Sequence, residues 1–548
     1  MTHPFVTDPA VDLRATIGVD VGTGSARAGV FDAKGRLLAA AKHPITAWHG
    51  PGEMVEQSSD QIWRAVCTAV RDAIALSGVS PDTVAGIGFD ATCSLVAVKS
   101  DGAPVAVGIS GDAARNIIVW MDHRATAEAA KINAGHHAVL AYVGGAISPE
   151  MQTPKLLWLK RNFPQSFAAA DYFFDLSDYL TWRATGSTAR SVCTVTCKWT
   201  YLAHENRWDA GYFNAIGLDE LASEGFARIG TEIVAPGTAL GHGLTAAAAA
   251  DLALRPGTAV GAALIDAHAG GIGTLGVAMP DTGQDITNRL AYIFGTSACA
   301  MASSTMPVFV DGVWGPYYSA MVPGFWLNEG GQSAAGAAID HLMAMHPAST
   351  EATRLADAAG LPLLTWLERR VADSGIAAGN IVGLAKTMHV VPEFLGNRSP
   401  HADPDARAII AGLSLETSVD DLLGLYIAGL CGIGYGLRQI LNSLRAGGLQ
   451  IDVVIASGGA AQSDLVRQIL ADTTGLPIAI ADTPEPVLLG AAMLGAVAAG
   501  RFVSLQDSMV HMSGGSVVCR PLGNQTAAHH ARRFQAFEAL QAVGRLIR

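Results

Sequence analysis

The sequence contains no cluster of basic residues. Its 36 Lys and Arg residues are outnumbered by 48 Asp and Glu residues, which gives a formal net charge of −12 at pH 7. Because nucleic acids and anionic membranes are bound by clustered positive charge, this balance argues against both as the main partner. The charge pattern therefore favours a small-molecule partner.

The sequence also has few features that would direct it into or across a membrane. Residues 1–10 show neither a basic start nor an apolar core of signal-peptide length. The later alanine-rich stretches are interrupted by Asp, Arg or Pro, so none reads as a membrane span. These absences predict a cytoplasmic protein with no membrane partner.

Cysteine is sparse, with seven residues that are odd in number and scattered along the chain. Such a pattern does not form the disulfide framework of a small secreted domain. Cys193 and Cys197 are the closest pair, and no second Cys or His pair lies at zinc-finger spacing. The sequence therefore predicts buried free thiols and no structural metal site.

Length and hydrophobic content, by contrast, are ample. The chain has 548 residues, and 50% of them are hydrophobic. A single hydrophobic core stops growing well below this length, so two large domains are expected. Predicted helices, such as residues 59–76, alternate with predicted buried strands, such as residues 84–89, which indicates α/β domains.

The opening segment, residues 16–32 (TIGVDVGTGSARAGVFD), predicts a β-hairpin with a tip of small residues. Backbone N–H groups and the Thr23 and Ser25 hydroxyls at such a tip can approach an anion closely, and Asp20 can hold a hydrated cation beside it. The segment lacks the Lys-Ser/Thr ending of a P-loop, and a strand pattern follows it, which excludes that motif. Phosphate binding and a plain glycine-rich hairpin both remain open for this segment alone.

A similar pattern returns about half a chain later. Residues 290–294 predict a strand, residues 295–297 (GTS) a small-residue tip, and residues 298–302 a second strand. The polar residues 279–288, which include Pro and Gly, predict a linker between the two halves. Duplicated halves would place the two tips in this way.

Two predicted buried strands end on polar residues. Residues 84–89 lead to residues 90–94 (DATCS), and residues 260–265 lead to residues 266–268 (DAH). Polar groups at the end of a strand often line a cleft. Because Asp is also favoured as a helix N-cap, the local pattern leaves both interpretations of Asp266 open.

Two glycine-rich segments precede predicted helices in the second half. Residues 330–333 (GGQS) come before a helix over 334–345, and residues 457–462 (SGGAAQ) come before a helix that runs through 473. Glycines there leave a helix N-terminus accessible to an anion. In the first half, residues 191–201 alternate β-branched side chains and predict a strand, on which Lys198 would point to solvent.

These motifs together resemble those of the FGGY carbohydrate kinases, within the actin-like ATPase superfamily. The resemblance is carried, in motif order, by residues 20–27 (DVGTGSAR), 294–297 (FGTS), 330–333 and 457–460. It implies an α/β fold of two actin-like (ribonuclease H-like) ATPase domains with an interdomain cleft. The implied boundaries are 14–280 for the sugar and phosphate side, 286–500 for the nucleotide side, and 501–548 for a C-terminal helical extension.

The resemblance also implies roles for individual residues. Asp266 stands where these kinases carry their catalytic base, and Asp-Ala-His at 266–268 resembles ribulokinases more than glycerol kinases or xylulokinases. The implied substrate-binding residues are Ala91, Thr92, Cys93, Lys198, Asp266, His268 and Glu329. The implied nucleotide-binding residues are Gly22, Thr23, Gly24, Ser25, Arg27, Gly295, Thr296, Gly336, Asp340, Gly458, Gly459, Ala460 and Gln462, with Mg²⁺ held at Asp20.

The implied reaction is phosphorylation of a ketopentose, D-ribulose to D-ribulose 5-phosphate, with ATP and Mg²⁺. Asp266 would accept the hydroxyl proton, a contribution that is typically ~10²–10⁴-fold in rate. The alternative substrates are L-ribulose and other sugars or polyols. From another class, a non-kinase actin-like ATPase or a catalytically silent sugar sensor would share the hairpins and glycine turns. A homodimer is the expected assembly, as the commonest one.

Overall fold

The computed structural model describes residues 15–279 and 285–548. The predictions for residues 1–10 and for the middle of the linker at 279–288 lie outside the described residues. In the described part of the chain, no helix combines the length and the apolar character needed to cross a membrane.

Strands and helices alternate along both halves of the described chain. The strands are β1 (Ala15–Val21), β2 (Ser25–Asp32), β3 (Leu37–Pro44), β4 (Trp48–His49), β5 (Val55–Gln57), β6 (Val84–Ala91), β7 (Leu95–Val98), β8 (Ile117–Ile118), β9 (Tyr172–Asp175), β10 (Arg190–Ser191), β11 (Ile233–Val234), β12 (Ala259–Val260), β13 (Leu264–Ile265), β14 (Arg289–Phe294), β15 (Ala298–Ser304), β16 (Trp314–Tyr318), β17 (Trp326–Gln332), β18 (His389–Val391), β19 (Ile409–Ala411), β20 (Val453–Ser457), β21 (Ile478–Ala481) and β22 (Ser516–Cys519). The helices are α1 (Ser59–Ser77), α2 (Thr126–Ala134), α3 (Gln152–Asn162), α4 (Pro164–Ala169), α5 (Leu176–Thr185), α6 (Val192–Trp199), α7 (Ala210–Ile216), α8 (Asp219–Ser223), α9 (Ala246–Leu252), α10 (Asp266–Leu275), α11 (Gly336–Met345), α12 (Ser349–Ala358), α13 (Leu363–Asp373), α14 (Val419–Ala446), α15 (Asp464–Thr474), α16 (Pro486–Ala498), α17 (Leu505–Met512) and α18 (Asn524–Leu546).

The first sheet brings three acidic residues to one edge. Its strands follow the order β12-β6-β1-β2-β3, and β13 also pairs with β6. β1 and β2 form the predicted hairpin with residues 22–24 at its tip. β1 and β6 are parallel, which places Asp20 opposite Asp90. Because β13 pairs with the end of β6 and Asp266 follows it directly, Asp266 reaches the same edge.

The second sheet repeats this plan. Its order is β16-β17-β15-β14-β20-β21-β22. β14 and β15 form an antiparallel hairpin with residues 295–297 at the tip, and β14 pairs in parallel with β20, as β1 does with β6. The predicted repetition of the two halves is therefore confirmed in strand order and direction.

Two helices, α10 and α16, cross between the sheets. Although α16 directly follows β21 of the second sheet in sequence, it packs on β1 and β6 of the first sheet as well as on α10. A Cβ atom on Gly18 would overlap the carbonyl oxygen of Leu488, and one on Gly273 would overlap that of Pro486. Glycine at these positions therefore allows the backbone of α16 to touch both the sheet and α10 directly.

One predicted strand is a helix. Residues 191–201 form α6 and its flanking residues, and the Ser191 hydroxyl accepts a hydrogen bond from the N–H of Cys193 as the N-cap. A capped helix start and burial in the core outweigh the strand propensity of the β-branched residues. The expectation that Lys198 points to solvent is consequently wrong, since its side chain is buried.

The C-terminal segment also differs from the sequence pattern. Residues 501–548 are predicted to be helical, and α17 and α18 account for most of them. Between these helices, however, β22 pairs antiparallel with β21 and extends the second sheet. The segment is therefore built into the second half through backbone hydrogen bonds.

The close approach of α16 to β1 predicts that Gly18→Ala destabilises the protein. A methyl group there meets backbone atoms of Leu488, which cannot rotate away, so the free energy of unfolding should fall by about 1–3 kcal/mol or more. Gly383→Ala is the matched control because its Cβ would point into open space. Urea unfolding of both variants tests this, and an equal effect in the two would contradict the proposed close contact.

Candidate active site

A cavity of about 440 Å³ lies between the two sheets. Its first-half wall is formed at the ends of β1, β6, β13 and α6, and its second-half wall by β14–β17 and the segment after β18. Most of the predicted sugar and phosphate residues line this cavity, which is called the sugar-side cavity below. These are Asp20, Gly22, Thr23, Arg27, Thr92, Cys93, Lys198, Asp266, Gly295, Thr296 and Glu329.

Two neighbouring cavities are lined by six predicted nucleotide-binding residues from the second half of the chain. One of about 780 Å³ is lined by Gly336, Asp340, Gly459, Ala460 and Gln462. Another cavity, of about 610 Å³, is lined by Gly458. It shares Gly459 and Gln462 with the 780 Å³ cavity, and it shares Arg27 with the sugar-side cavity. The shared walls place the three cavities in a continuous row.

Four predicted residues lie beside these cavities and not in their walls. Ala91 is fully buried at the end of β6, and His268 is 1% exposed on α10. Gly24 and Ser25 shape the hairpin tip through backbone hydrogen bonds to Ile45 and Gly22. Their roles in binding stay predictions.

Asp266 is the first residue of α10, and its side chain faces the sugar-side cavity. The N-cap position is held by Ile265, so Asp266 is not the N-cap of this helix. Its Oδ1 accepts a hydrogen bond from the N–H of Ala267 at 2.7 Å. Burial and the nearby Asp20 carboxylate raise the pKa of Asp266 to about 6. A carboxylate in this position is ionised at pH 7 and is a better proton acceptor than an ordinary aspartate.

Arg27 joins the two halves at the edge of the cavity. Its Nε donates a hydrogen bond to Asp20 Oδ2 at 2.7 Å, and its Nη2 donates to the same oxygen. Its Nη1 donates to Glu485 Oε2 at 2.8 Å. Glu485 directly precedes α16. The ion pair therefore connects the phosphate-side hairpin of the first half to the start of the crossing helix.

The edge of the first sheet that carries Asp20, Asp90 and Asp266, called the acidic edge here, has the donor set that Mg²⁺ prefers. Mg²⁺ binds oxygen ligands, usually one or two carboxylates together with water and phosphate. Both carboxylate oxygens of Asp90 are buried and have no hydrogen-bond donor among the described residues, and burial and Asp20 raise the pKa of Asp90. A cation at Asp20, with Asp90 behind it, would relieve this concentration of negative charge.

Two cations share one aromatic ring on the opposite side of the cavity. Lys198 Nζ lies 4.6 Å from the centroid of the Trp314 ring, and the Arg398 guanidinium lies 5.5 Å from it. Burial by itself would lower the pKa of Lys198, but the acidic side chains of Glu329 and Glu150 and the Cys93 thiol hold it above its ordinary value. This side of the cavity thus offers both donors and acceptors to a polyhydroxyl ligand.

Glu329 is held by His268. His268 Nε2 lies 3.2 Å from Glu329 Oε2, and His268 Nδ1 lies 3.0 Å from Cys193 Sγ. Burial would raise the pKa of Glu329, but the bond to His268 and the charge of Lys198 lower it to about 2. Burial would lower the pKa of His268, but its contacts with Cys193 and Glu329 raise that pKa to about 10. Glu329 is therefore an ionised acceptor in the cavity wall.

The sequence analysis missed several residues of the cavity wall, and four of them carry large aromatic or charged side chains. They come from separate loops and strands, and their local sequences carry no motif for sugar binding. They are Trp120, Glu150, Trp314 and Arg398. Trp120 Nε1 donates to Thr23 Oγ1 at 3.0 Å, which links the missed residues to the predicted hairpin tip.

The chain is similar in sequence and in fold to known proteins. The N-terminal domain model of the FGGY family of carbohydrate kinases matches residues 15–273, and the C-terminal domain model of the same family matches residues 290–499. An FGGY carbohydrate kinase domain-containing protein of Danio rerio is 45% identical over 95% of this chain and 96% of its own length. The D-ribulokinase of Saccharomyces cerevisiae is 40% identical over 89% of this chain and 72% of its own length. A structure titled as a xyloylose kinase from Brucella ovis has a TM-score of 0.78 at 21% identity and covers 97% of this chain and 100% of that one.

The burial of Lys198 beside Glu329 predicts a stability cost for Lys198→Met. Removing the charge takes away one of the cations beside Glu329, with His268 and Arg398 remaining, so the free energy of unfolding should fall by about 1–3 kcal/mol. Lys386→Met is the control, since Lys386 pairs with Glu416 at the surface and its loss should change little. Guanidinium unfolding followed by tryptophan fluorescence measures both variants. Similar midpoints for the two variants would count against a buried charge cluster at Lys198.

Proposed function

The chain belongs to the FGGY family of carbohydrate kinases and is an ATP-dependent sugar kinase, and we propose that its substrate is the ketopentose D-ribulose, which it converts to D-ribulose 5-phosphate. The observation that carries this proposal is the position of Asp266. Its carboxylate faces a cavity that has the phosphate-type hairpin tips on one side and Lys198 and Glu329 on the other. The resemblance to a D-ribulokinase over most of the chain supports the choice of sugar.

We assign the proton transfer to Asp266. The terminal hydroxyl oxygen of the sugar bonds to the γ-phosphorus of ATP, the bond from that phosphorus to the bridging oxygen of ADP breaks, and the hydroxyl proton passes to an Asp266 oxygen. With its pKa raised to about 6, Asp266 is ionised at neutral pH. Both the position and the proton affinity of this carboxylate suit a general base.

The glycine tips would hold the phosphates. A Cβ on Gly22 or Gly24 would meet almost no other atom, so a ligand can approach the backbone of this tip closely, although the N–H of Gly22 itself donates to the carbonyl oxygen of Ser25. Gly458 has a φ of 98°, a conformation that favours glycine, where the chain turns from β20 toward α15. Mg²⁺, when bound at Asp20 with Asp90 behind it, would neutralise charge on the phosphate oxygens.

The wall opposite the phosphate tips would orient the sugar. Lys198 and Arg398 are donors only, whereas ionised Glu329 accepts only. Thr92 and Cys93 approach the same cavity from the end of β6. A small neutral polyol with several adjacent hydroxyls can satisfy donors and acceptors of this kind at once.

The sharing of wall residues between the cavities also suggests how water is excluded. The sugar-side cavity lies between the two halves of the chain, whereas the 780 Å³ nucleotide-side cavity is formed by the second half, and the ion pair of Arg27 with Glu485 connects the halves. Closure of the two halves around both substrates would protect ATP from hydrolysis until sugar is present. The alternative substrates, L-ribulose and other sugars or polyols, would use the same site with different hydroxyl contacts.

The substrate assignment predicts a distinct order in a kinase assay. ADP release is measured with ATP, Mg²⁺ and each of six candidate substrates, namely D-ribulose, L-ribulose, D-xylulose, L-xylulose, ribitol and glycerol. The kcat/KM should be highest for D-ribulose. A higher kcat/KM for another member of this panel would replace D-ribulose as the substrate and leave the kinase assignment intact.

The role of Asp266 predicts that Asp266→Asn lowers kcat on the preferred sugar by about 10²–10⁴-fold, because the amide cannot accept the hydroxyl proton. Asp82→Asn, at an exposed position far from the cavity, is the matched control and should retain wild-type kcat. Circular dichroism should show both variants folded. Wild-type kcat in folded Asp266→Asn would remove Asp266 from the proton transfer.

A further inference from the structure

We propose that Cys193, Cys197 and His268 form a binding site for a thiophilic divalent cation such as Zn²⁺, and that metal bound there inhibits the kinase. The three side chains are fully buried behind the sugar-side wall. Their donor atoms, two Sγ and one ring nitrogen, all lie within 4.8 Å of one another. Two sulfurs and an imidazole select zinc-like metals over Mg²⁺, so this site is chemically separate from the acidic edge.

The fold builds this site from two helices. Cys193 and Cys197 are one turn apart on α6, which puts both thiols on the same face of that helix. His268 projects from the first turn of α10, and its Nδ1 lies 3.0 Å from Cys193 Sγ. Zinc holds sulfur at about 2.3 Å and nitrogen at about 2.0–2.1 Å, so donors in a tetrahedral site lie about 3.4–3.8 Å apart. Small side-chain rotations are enough to reach that spacing.

A second observation, from the other ring nitrogen, points to a metal. Metal-binding histidines usually donate their remaining N–H to a carboxylate or carbonyl, which fixes the ring. His268 Nε2 lies 3.2 Å from Glu329 Oε2, so Nδ1 is the nitrogen that faces the thiols. The backbone N–H of Ile265 also points at Cys193 Sγ, at 3.5 Å, and would stabilise a thiolate. Ligands and supporting groups are thus already in place.

The position of the site explains why a bound metal would inhibit. His268 is two residues from Asp266 on α10, and it orients Glu329, which lines the sugar-side cavity. A metal that takes Nδ1 replaces the bond between His268 and Cys193 and shifts the ring that holds Glu329. This step rests on the proposed role of Glu329 in sugar binding. The inhibition should therefore appear mainly as a rise in KM for the sugar.

Direct binding is tested on the whole protein without ATP or Mg²⁺. Co²⁺ should give thiolate charge-transfer absorption and the visible bands of a tetrahedral site at a ratio of one per chain, and Zn²⁺ should displace it. In Cys197→Ser the affinity for Co²⁺ should fall at least about 10-fold, because replacing even a residue that only supports a metal ligand typically costs that much. Cys431→Ser, which removes another buried thiol on α14, is the matched control and should bind as the wild type does.

The functional consequence is tested with the same variants. Zn²⁺ should raise the KM of the preferred sugar in the wild type and in Cys431→Ser, and a chelator should reverse the effect. Cys197→Ser should keep its basal activity and lose this sensitivity, whereas Zn²⁺ competing at the Mg²⁺ site would inhibit all three proteins alike.

Either of two results would overturn the proposal. One is the absence of thiolate charge transfer in the wild type, which would leave Cys193 and His268 as a hydrogen-bonded pair only. The other is unchanged Co²⁺ affinity in Cys197→Ser. Because the spectra need no sugar, failure of the metal site is distinguishable from a wrong assignment of the kinase substrate.

Discussion

The direct backbone contact of α16 with both α10 and the first sheet is the constraint on which the site depends. Gly18 and Gly273 leave no side chain between these elements, so the helices cross at close range. α10 begins with Asp266, and α16 begins next to Glu485, which is bonded to Arg27. A single helix crossing therefore sets the distance between the proposed base, the phosphate-side hairpin and the second half.

The charges around the cavity are arranged in two groups that suit different parts of the reaction. On the hairpin side, burial and the Asp20 carboxylate raise the proton affinity of Asp90 and of Asp266, and Arg27 is the cation bonded to Asp20. On the opposite side, Lys198 and Glu329 are of opposite sign and stabilise each other's charged forms. In the proposed reaction, a cation and the phosphates would complete the first group, and the neutral sugar would bind at the second through hydrogen bonds.

Local patterns were sufficient for much of the architecture and for the phosphate side. The hairpins of β1–β2 and β14–β15, the repeated halves and the placement of Asp266 at a strand end are all visible in runs of adjacent residues, and the fold and family they indicate are confirmed. The failure at residues 191–201 has a specific cause. β-branched residues favour strands on average, but at α6 the Ser191 cap and the surrounding core decide in favour of the helix.

The sequence by itself therefore determined the kind of protein, because hairpin tips, glycine turns and strand-ending acids are formed by neighbours in the chain. Only the tertiary structure decided what surrounds these motifs. Trp314 and Arg398 meet Lys198 across the cleft, and Cys193 meets His268 from 75 residues away. Contacts of this kind arise when helices and sheets pack, and no periodicity or spacing within one segment records which distant side chain will complete them.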